Sequence, residues 1–207
     1  MLLVLESYWN DDLSDTTSVF PFIDGWSRLS KIPVAYRRYH NSKDLQHWIA
    51  EFTRHKQYNL CYIAGHGSGG RLSGLNNDIN LAQLAMQTHQ DELGRSVPKK
   101  GIYFGACEVG QRLKEFLSNC GDKIQWTGGY TCSVPWIEST LCDIKILQYF
   151  YEGRVKRTHH DGQQIMLTND DGNILCETTP TLNKINKWIF EDYPLSKMFG
   201  LKLYTRD

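Results

Sequence analysis

Short apolar runs alternate with longer amphipathic stretches along most of the chain, the pattern of strand-helix-strand units that build a largely parallel sheet. Residues 2–5 read as a first strand, residues 19–29 as a first helix with apolar positions at helical spacing, and residues 33–39 as a second strand. Residues 43–55 predict the next helix: Leu45, Trp48, Ile49 and Phe52 fall at i, i+3, i+4 and i+7, one stripe toward a sheet. The run 58–64 is almost wholly apolar, as a strand covered on both faces should be. A strand at 101–104, a helix at 111–118, a strand at 124–127 and a helix at 137–151 complete the series. Between 68 and 99 lies an excursion with a Gly-rich start, a small hairpin around residues 71–75 and a helix near 79–89. Long insertions at the carboxyl edge of a sheet are usually functional.

Beyond Gly153 the pattern changes. Residues 163–168 and 173–178 flank Asn169, Asp170, Asp171 and Gly172, a hairpin signal. A short helix at 182–190 and a last strand at 200–205 close the chain. The expected organisation is one domain over 1–207: a core sheet in 1–152, then a hairpin, helix and edge strand in 153–207.

The 23 basic and 23 acidic residues balance, so no bulk field favours nucleic acid or an anionic membrane. The opening residues carry no basic leader, and there is no apolar run of about 18 residues to span a membrane. The expectation is a soluble cytoplasmic protein with neither nucleic acid nor membrane as partner. Six cysteines (61, 107, 120, 132, 142 and 176) form no C-x-x-C pair, and the seven histidines show no H-x-x-x-H spacing. No metal and no cofactor is assigned. The string GHGSGG meets the letter of G-x-G-x-x-G, yet it follows the third strand and opens no helix, so a dinucleotide site is not expected. HGSGG is also similar to the oxyanion strand of lipases, but no G-x-S-x-G or G-x-C-x-G elbow exists.

Two strings carry the chemistry. YIAGHGSGG (62–70) delivers His66 to the end of one buried strand, and GIYFGACEVG (101–110) delivers Cys107 to the end of the next. The carboxyl ends of neighbouring parallel strands frame the crevice where open α/β sheets bind ligands. That is the geometry a thiol nucleophile with an imidazole base requires. A free thiol is only slightly ionised at neutral pH, with an ordinary pKa of about 8.5. A helix start and a nearby imidazole both favour the thiolate. His66 is then base and, later, acid. Gly105 and Ala106 leave the approach to the sulfur open, and the N–H groups of Gly67 and Cys107 are the expected oxyanion hole. No third member of a triad is evident.

These strings, in the order His then Cys, resemble the caspase-like (clan CD) cysteine peptidases, which include caspases, metacaspases, separase, gingipains and bacterial CHAT domains. The likeness covers roughly residues 1–150. ACEVG is nearer the CHAT form than the caspase form, since Gly105 stands where QAC[RQG]G has Gln and Val109 intervenes before Gly110. The resemblance implies a three-layer, flavodoxin-like, mostly parallel sheet of about six strands with helices on both faces. It also implies a cysteine endopeptidase acting on a protein substrate in a signalling, defence or cell-death circuit. Control is expected from an activating partner protein, a small signalling ligand, a homodimer or self-cleavage.

Specificity is open at this stage. Glu108 either caps the helix start or contacts substrate. Trp136, Ser139 and Asp143 share one helical face that suits either a pocket for the side chain before the cut bond or packing on the sheet. Asp143 or Glu138 lining that pocket would select a basic residue, whereas a caspase-style pocket needs arginines and residues 131–143 contain none. Two alternatives to a peptidase stand: an inactive interaction domain with the same fold, and a cysteine esterase or amidase.

Overall fold

The structure is a computed structural model that describes residues 1–10, 16–74, 77–89, 99–152, 157–160, 163–166 and 199–206. In chain order the elements are β1 (Leu2–Ser7), α1 (Phe20–Ser30), β2 (Val34–Tyr39), α2 (Ser42–Arg54), β3 (Leu60–Ala64), β4 (Gly67–Ser68), β5 (Arg71–Ser73), β6 (Asp78–Ile79) and α3 (Leu81–Gln87). There follow β7 (Lys100–Gly105), a 3-10 turn (Val109–Arg112), α4 (Leu113–Asn119), β8 (Ile124–Tyr130), α5 (Trp136–Glu152), β9 (Arg157–His160), β10 (Gln163–Met166) and β11 (Leu201–Thr205).

Six strands form one sheet in the order β2, β1, β3, β7, β8, β11. The first four pairings are parallel, and β11 closes the far edge antiparallel to β8. Parallel neighbours need a crossover, and here helices supply it. Alternate strand residues feed opposite faces, which explains the unbroken apolar runs. Leu2, Val4, Tyr62 and Tyr103 meet α1 and α5, while Leu3, Leu5, Cys61, Ile63, Ile102 and Phe104 meet α2, α3 and α4. The result is a three-layer α/β architecture with a six-strand, mostly parallel sheet.

Local chemistry sets the helix ends. Asn41 caps α2 by accepting from the amides of Lys43 and Asp44. At the other end, the fully buried ammonium of Lys100 donates to the carbonyls of Phe52 and His55, the latter at 2.6 Å, and lies 4.8 Å from the Phe52 ring centroid. A cation on the orphan carbonyls of a helix C-terminus is favourable twice over, through hydrogen bonds and through the helix dipole. Arg206 does the same for α4, donating to Leu117 and Cys120 carbonyls.

Two expected elements differ, and one pairing is additional. The helix expected at 79–89 is shorter, because Asp78 and Ile79 pair with β5 and Asn80 caps α3 through the Ala82 amide. The hairpin expected near 71–75 is a three-strand sheet of β4, β5 and β6. Residues 163–166 pair antiparallel with β9, Gln163 opposite His160, a pairing not expected from the sequence. The expected turn at 169–172, strand at 173–178 and helix at 182–190 lie outside the described residues. Among the described residues no helix is long and apolar enough to cross a membrane.

Lys100→Met should lower the free energy of unfolding by about 1–3 kcal/mol, because two buried carbonyls lose a charged donor. Urea denaturation measures this, and an unchanged midpoint would show that the ammonium merely offsets its own desolvation.

Candidate active site

The strand order reverses between β1 and β3, and in open α/β sheets the crevice outside the carboxyl ends at such a reversal is where ligands bind. The pairing of β3 with β7 sets Ala64 opposite Gly105. Two residues beyond that rung the chain reaches His66 on one side and Cys107 on the other. Both line one cleft of about 240 Å³, with Trp9 from the end of β1 and Val134 and Trp136 from the start of α5. His66 is exposed and Cys107 half-buried.

Each side chain is held by backbone. His66 Nε2 lies 2.7 Å from the carbonyl oxygen of Trp9. A carbonyl only accepts, so Nε2 carries the proton and Nδ1 of the neutral ring is left as the basic nitrogen. The Trp9 indole stands edge-on to His66, with ring centroids 5.2 Å apart. Its Nε1 donates to Glu6 at 2.8 Å. Glu6 is fully buried and also accepts from Ser18 Oγ, the Val19 amide and Tyr36 Oη, all within 2.8 Å. A buried carboxylate survives when every lone pair is occupied, and these donors tie the segment after β1 to the start of α1. On the other side, the Val134 amide points at Cys107 Sγ at 3.4 Å and keeps the sulfur on the cleft side.

The hairpin that follows His66 packs against the Cys107 segment. Gly69 and Gly70 have φ of +56° and +77°, the two left-handed positions of a type I′ turn, and link β4 to β5. Ser68 and Arg71 flank the turn, and the Ser73 amide donates to the His66 carbonyl at 2.9 Å. The intervening pair, Gly67 and Leu72, is therefore the non-bonded one, and the Gly67 N–H points away from β5. Gly67 lies so close to the Cys107 segment that a Cβ on it would stand 2.3 Å from the Cys107 carbonyl oxygen. The Cys107 N–H has no backbone acceptor among the described residues.

Glu108 follows with φ of +60°, a left-handed conformation that turns the chain sharply after the cysteine. Its side chain neither caps the following 3-10 turn nor lines the cleft. One carboxylate oxygen accepts from the Gly69 amide at 2.7 Å and the other from Ser133 Oγ at 3.3 Å. Glu108 thus clamps the hairpin that carries Gly67 to the loop that carries Cys107.

Of the remaining pocket candidates, Trp136 and Ser139 line the cleft. Glu138 is exposed outside it, and Asp143 is buried beneath it, so the shared face expected for Trp136, Ser139 and Asp143 divides between wall and core. Asp143 accepts from three tyrosine hydroxyls: Tyr62 at 2.7 Å, Tyr103 at 2.6 Å and Tyr130 at 2.5 Å. A Cβ on Gly105 would meet the Tyr62 hydroxyl and the Asp143 carboxylate, so only glycine fits above this cluster. Trp9 and Glu6 were not anticipated from sequence. Their one signal was position, immediately around the end of the first strand. Five cysteines are described and all are free; Cys61, Cys120 and Cys142 are core thiols. Among the described residues no cluster of three His, Cys, Asp or Glu could hold a metal ion.

No protein-family model and no curated protein matches this chain. The functional reading therefore rests on the geometry above.

Burial pushes the Asp143 carboxyl up to about 6, against the tyrosine hydroxyls that favour its ionised form. An unfolded chain loses that proton near 3.9. Between these values the folded state holds a proton that the unfolded state has released, so this contribution to stability is full below about pH 4 and lost as pH rises through about 6. The stability of the wild type minus that of Asp143→Asn should fall by about 2 kcal/mol between pH 4 and pH 7.5. Urea titrations at the two pH values give the difference; a pH-independent gap would contradict the burial account.

Proposed function

We propose that this chain is a caspase-like cysteine endopeptidase with a Cys107–His66 dyad. The observation that carries the reading is the shared cleft: a thiol and an imidazole from adjacent parallel strands, the imidazole tautomer set by a main-chain carbonyl. The strand order, with an antiparallel strand added at one edge, and the order His then Cys support the family.

The chemistry follows from the groups present. Cys107 Sγ attacks the scissile carbonyl carbon as His66 Nδ1 takes the thiol proton. The carbonyl π electrons move onto oxygen, which the N–H groups of Gly67 and Cys107 receive. Collapse of the tetrahedral intermediate expels the amine, protonated by His66, and leaves a thioester. Water, deprotonated by His66, then attacks the thioester carbonyl and releases the carboxylate product and the thiol. The Trp9 carbonyl accepts from Nε2–H throughout, orienting the ring and stabilising the imidazolium. Glu108 is a positioning residue, since it touches the turn beside the oxyanion donor and none of the reacting atoms.

Peptide cleavage is the test. A fluorogenic peptide panel, together with mapping of new N-termini in a lysate, should show cleavage that Cys107→Ala abolishes and that His66→Ala slows by at least about 100-fold. Cleavage that persists in Cys107→Ala contradicts the reading. Failure to find any Cys107-dependent cleavage contradicts it too, in favour of an interaction domain that keeps the fold.

A further inference from the structure

The cleft beside Cys107 has a composition that bears on what it accepts. Its described lining is Trp9, Val134, Trp136, Ala106, Gly105 and Ser139, together with Asn10, Thr17, Gly65 and the dyad. Among these described residues there is no carboxylate, ammonium or guanidinium. The Trp9 and Trp136 rings stand perpendicular with centroids 6.2 Å apart and form two walls meeting at a corner. The volume of about 240 Å³ falls below the roughly 300–1,000 Å³ of sites that enclose a whole small molecule, and suits a single side chain.

Among the described residues, the three acidic groups nearest the cleft, Glu6, Asp143 and Glu108, are already committed elsewhere. Glu6 accepts from four donors around Trp9. Asp143 lies under Gly105 with its oxygens taken by three tyrosine hydroxyls. Glu108 is bonded to Gly69 and Ser133. To reach Asp143, a lysine or arginine side chain would have to displace a tyrosine hydroxyl from a fully buried cluster. An aspartate in the cleft would find no cation among the described lining. A charge without a partner in an apolar site pays its full desolvation.

We infer that this cleft receives the substrate side chain preceding the cut bond and selects an uncharged, apolar or aromatic residue there, with Trp9, Trp136 and Ser139 as the determinants. The inference rests on the peptidase reading and specifies its substrate class. Packing against two indole walls favours leucine, methionine, phenylalanine or tyrosine, and exclusion of charge supplies the discrimination.

A peptide library varied at the position before the cut bond, assayed with the wild type and with Cys107→Ala as background, tests it. Cys107-dependent kcat/KM after an apolar or aromatic residue should exceed that after aspartate, glutamate, lysine or arginine by at least about 100-fold. Ser139→Asp places a carboxylate on the cleft lining and should raise the relative rate after lysine and arginine. Trp136→Ala should shift preference from leucine toward the larger aromatics. Cys107-dependent cleavage that is fastest after a charged residue would overturn the inference while leaving the peptidase reading intact. No Cys107-dependent cleavage of any member would overturn both.

Discussion

The parallel pairing of β3 with β7 is the constraint from which the site follows. It puts Ala64 opposite Gly105, so the two strands leave the sheet on the same rung and their next residues converge over its carboxyl edge. A slip of one residue would turn every side chain of β3 to the other face. Such a slip is strongly opposed, because all five residues of β3 are fully buried and alternate between two different helix layers. At the opposite end of β7, Lys100 is anchored on the last turn of α2, which fixes the strand along its own axis. His66 and Cys107 are thus positioned by the same burial that stabilises the sheet.

Two buried carboxylates finish what the strands begin. Glu6 and Asp143 both lie on the side of the sheet covered by α1 and α5, and each is saturated by donors from several elements. Taking a carboxylate out of water is costly, and a well-packed apolar substitute is often as stable, so such groups suit specification of geometry better than net stability. Glu6 fixes the segment whose carbonyl orients His66. Asp143 draws three strands' tyrosines together under Gly105 and makes the floor on which the cysteine loop rests. Burial beside Asp143 pushes all three tyrosine hydroxyls well above their ordinary range, which keeps them as donors.

The three-layer sheet was legible because its strands are apolar on both faces and its helices are apolar on one. The places of His66 and Cys107 were legible because each ends an apolar strand beside glycine or alanine, whereas the hairpin was expected at residues 71–75 and turns instead at Gly69 and Gly70. The Trp9 carbonyl was not, since a backbone acceptor leaves no mark in side-chain identity. Asp143 was misplaced for a related reason. Helical spacing put it on the face of Trp136 and Ser139, but spacing along one helix does not say that three tyrosines from neighbouring strands will close over its third turn. Glu108 had a helix-capping role on offer, and the left-handed backbone at that residue sent its carboxylate to the hairpin tip instead.

The central claim is that the sulfur and the imidazole act as one unit. The second-order rate constant for alkylation of Cys107 by iodoacetamide, followed by mass spectrometry at neutral pH in the wild type and in His66→Ala, measures that coupling directly. The account predicts that loss of the imidazole slows alkylation of Cys107 by about tenfold or more while the modification of Cys132 is unchanged. Equal rates at Cys107 in the two proteins would contradict it.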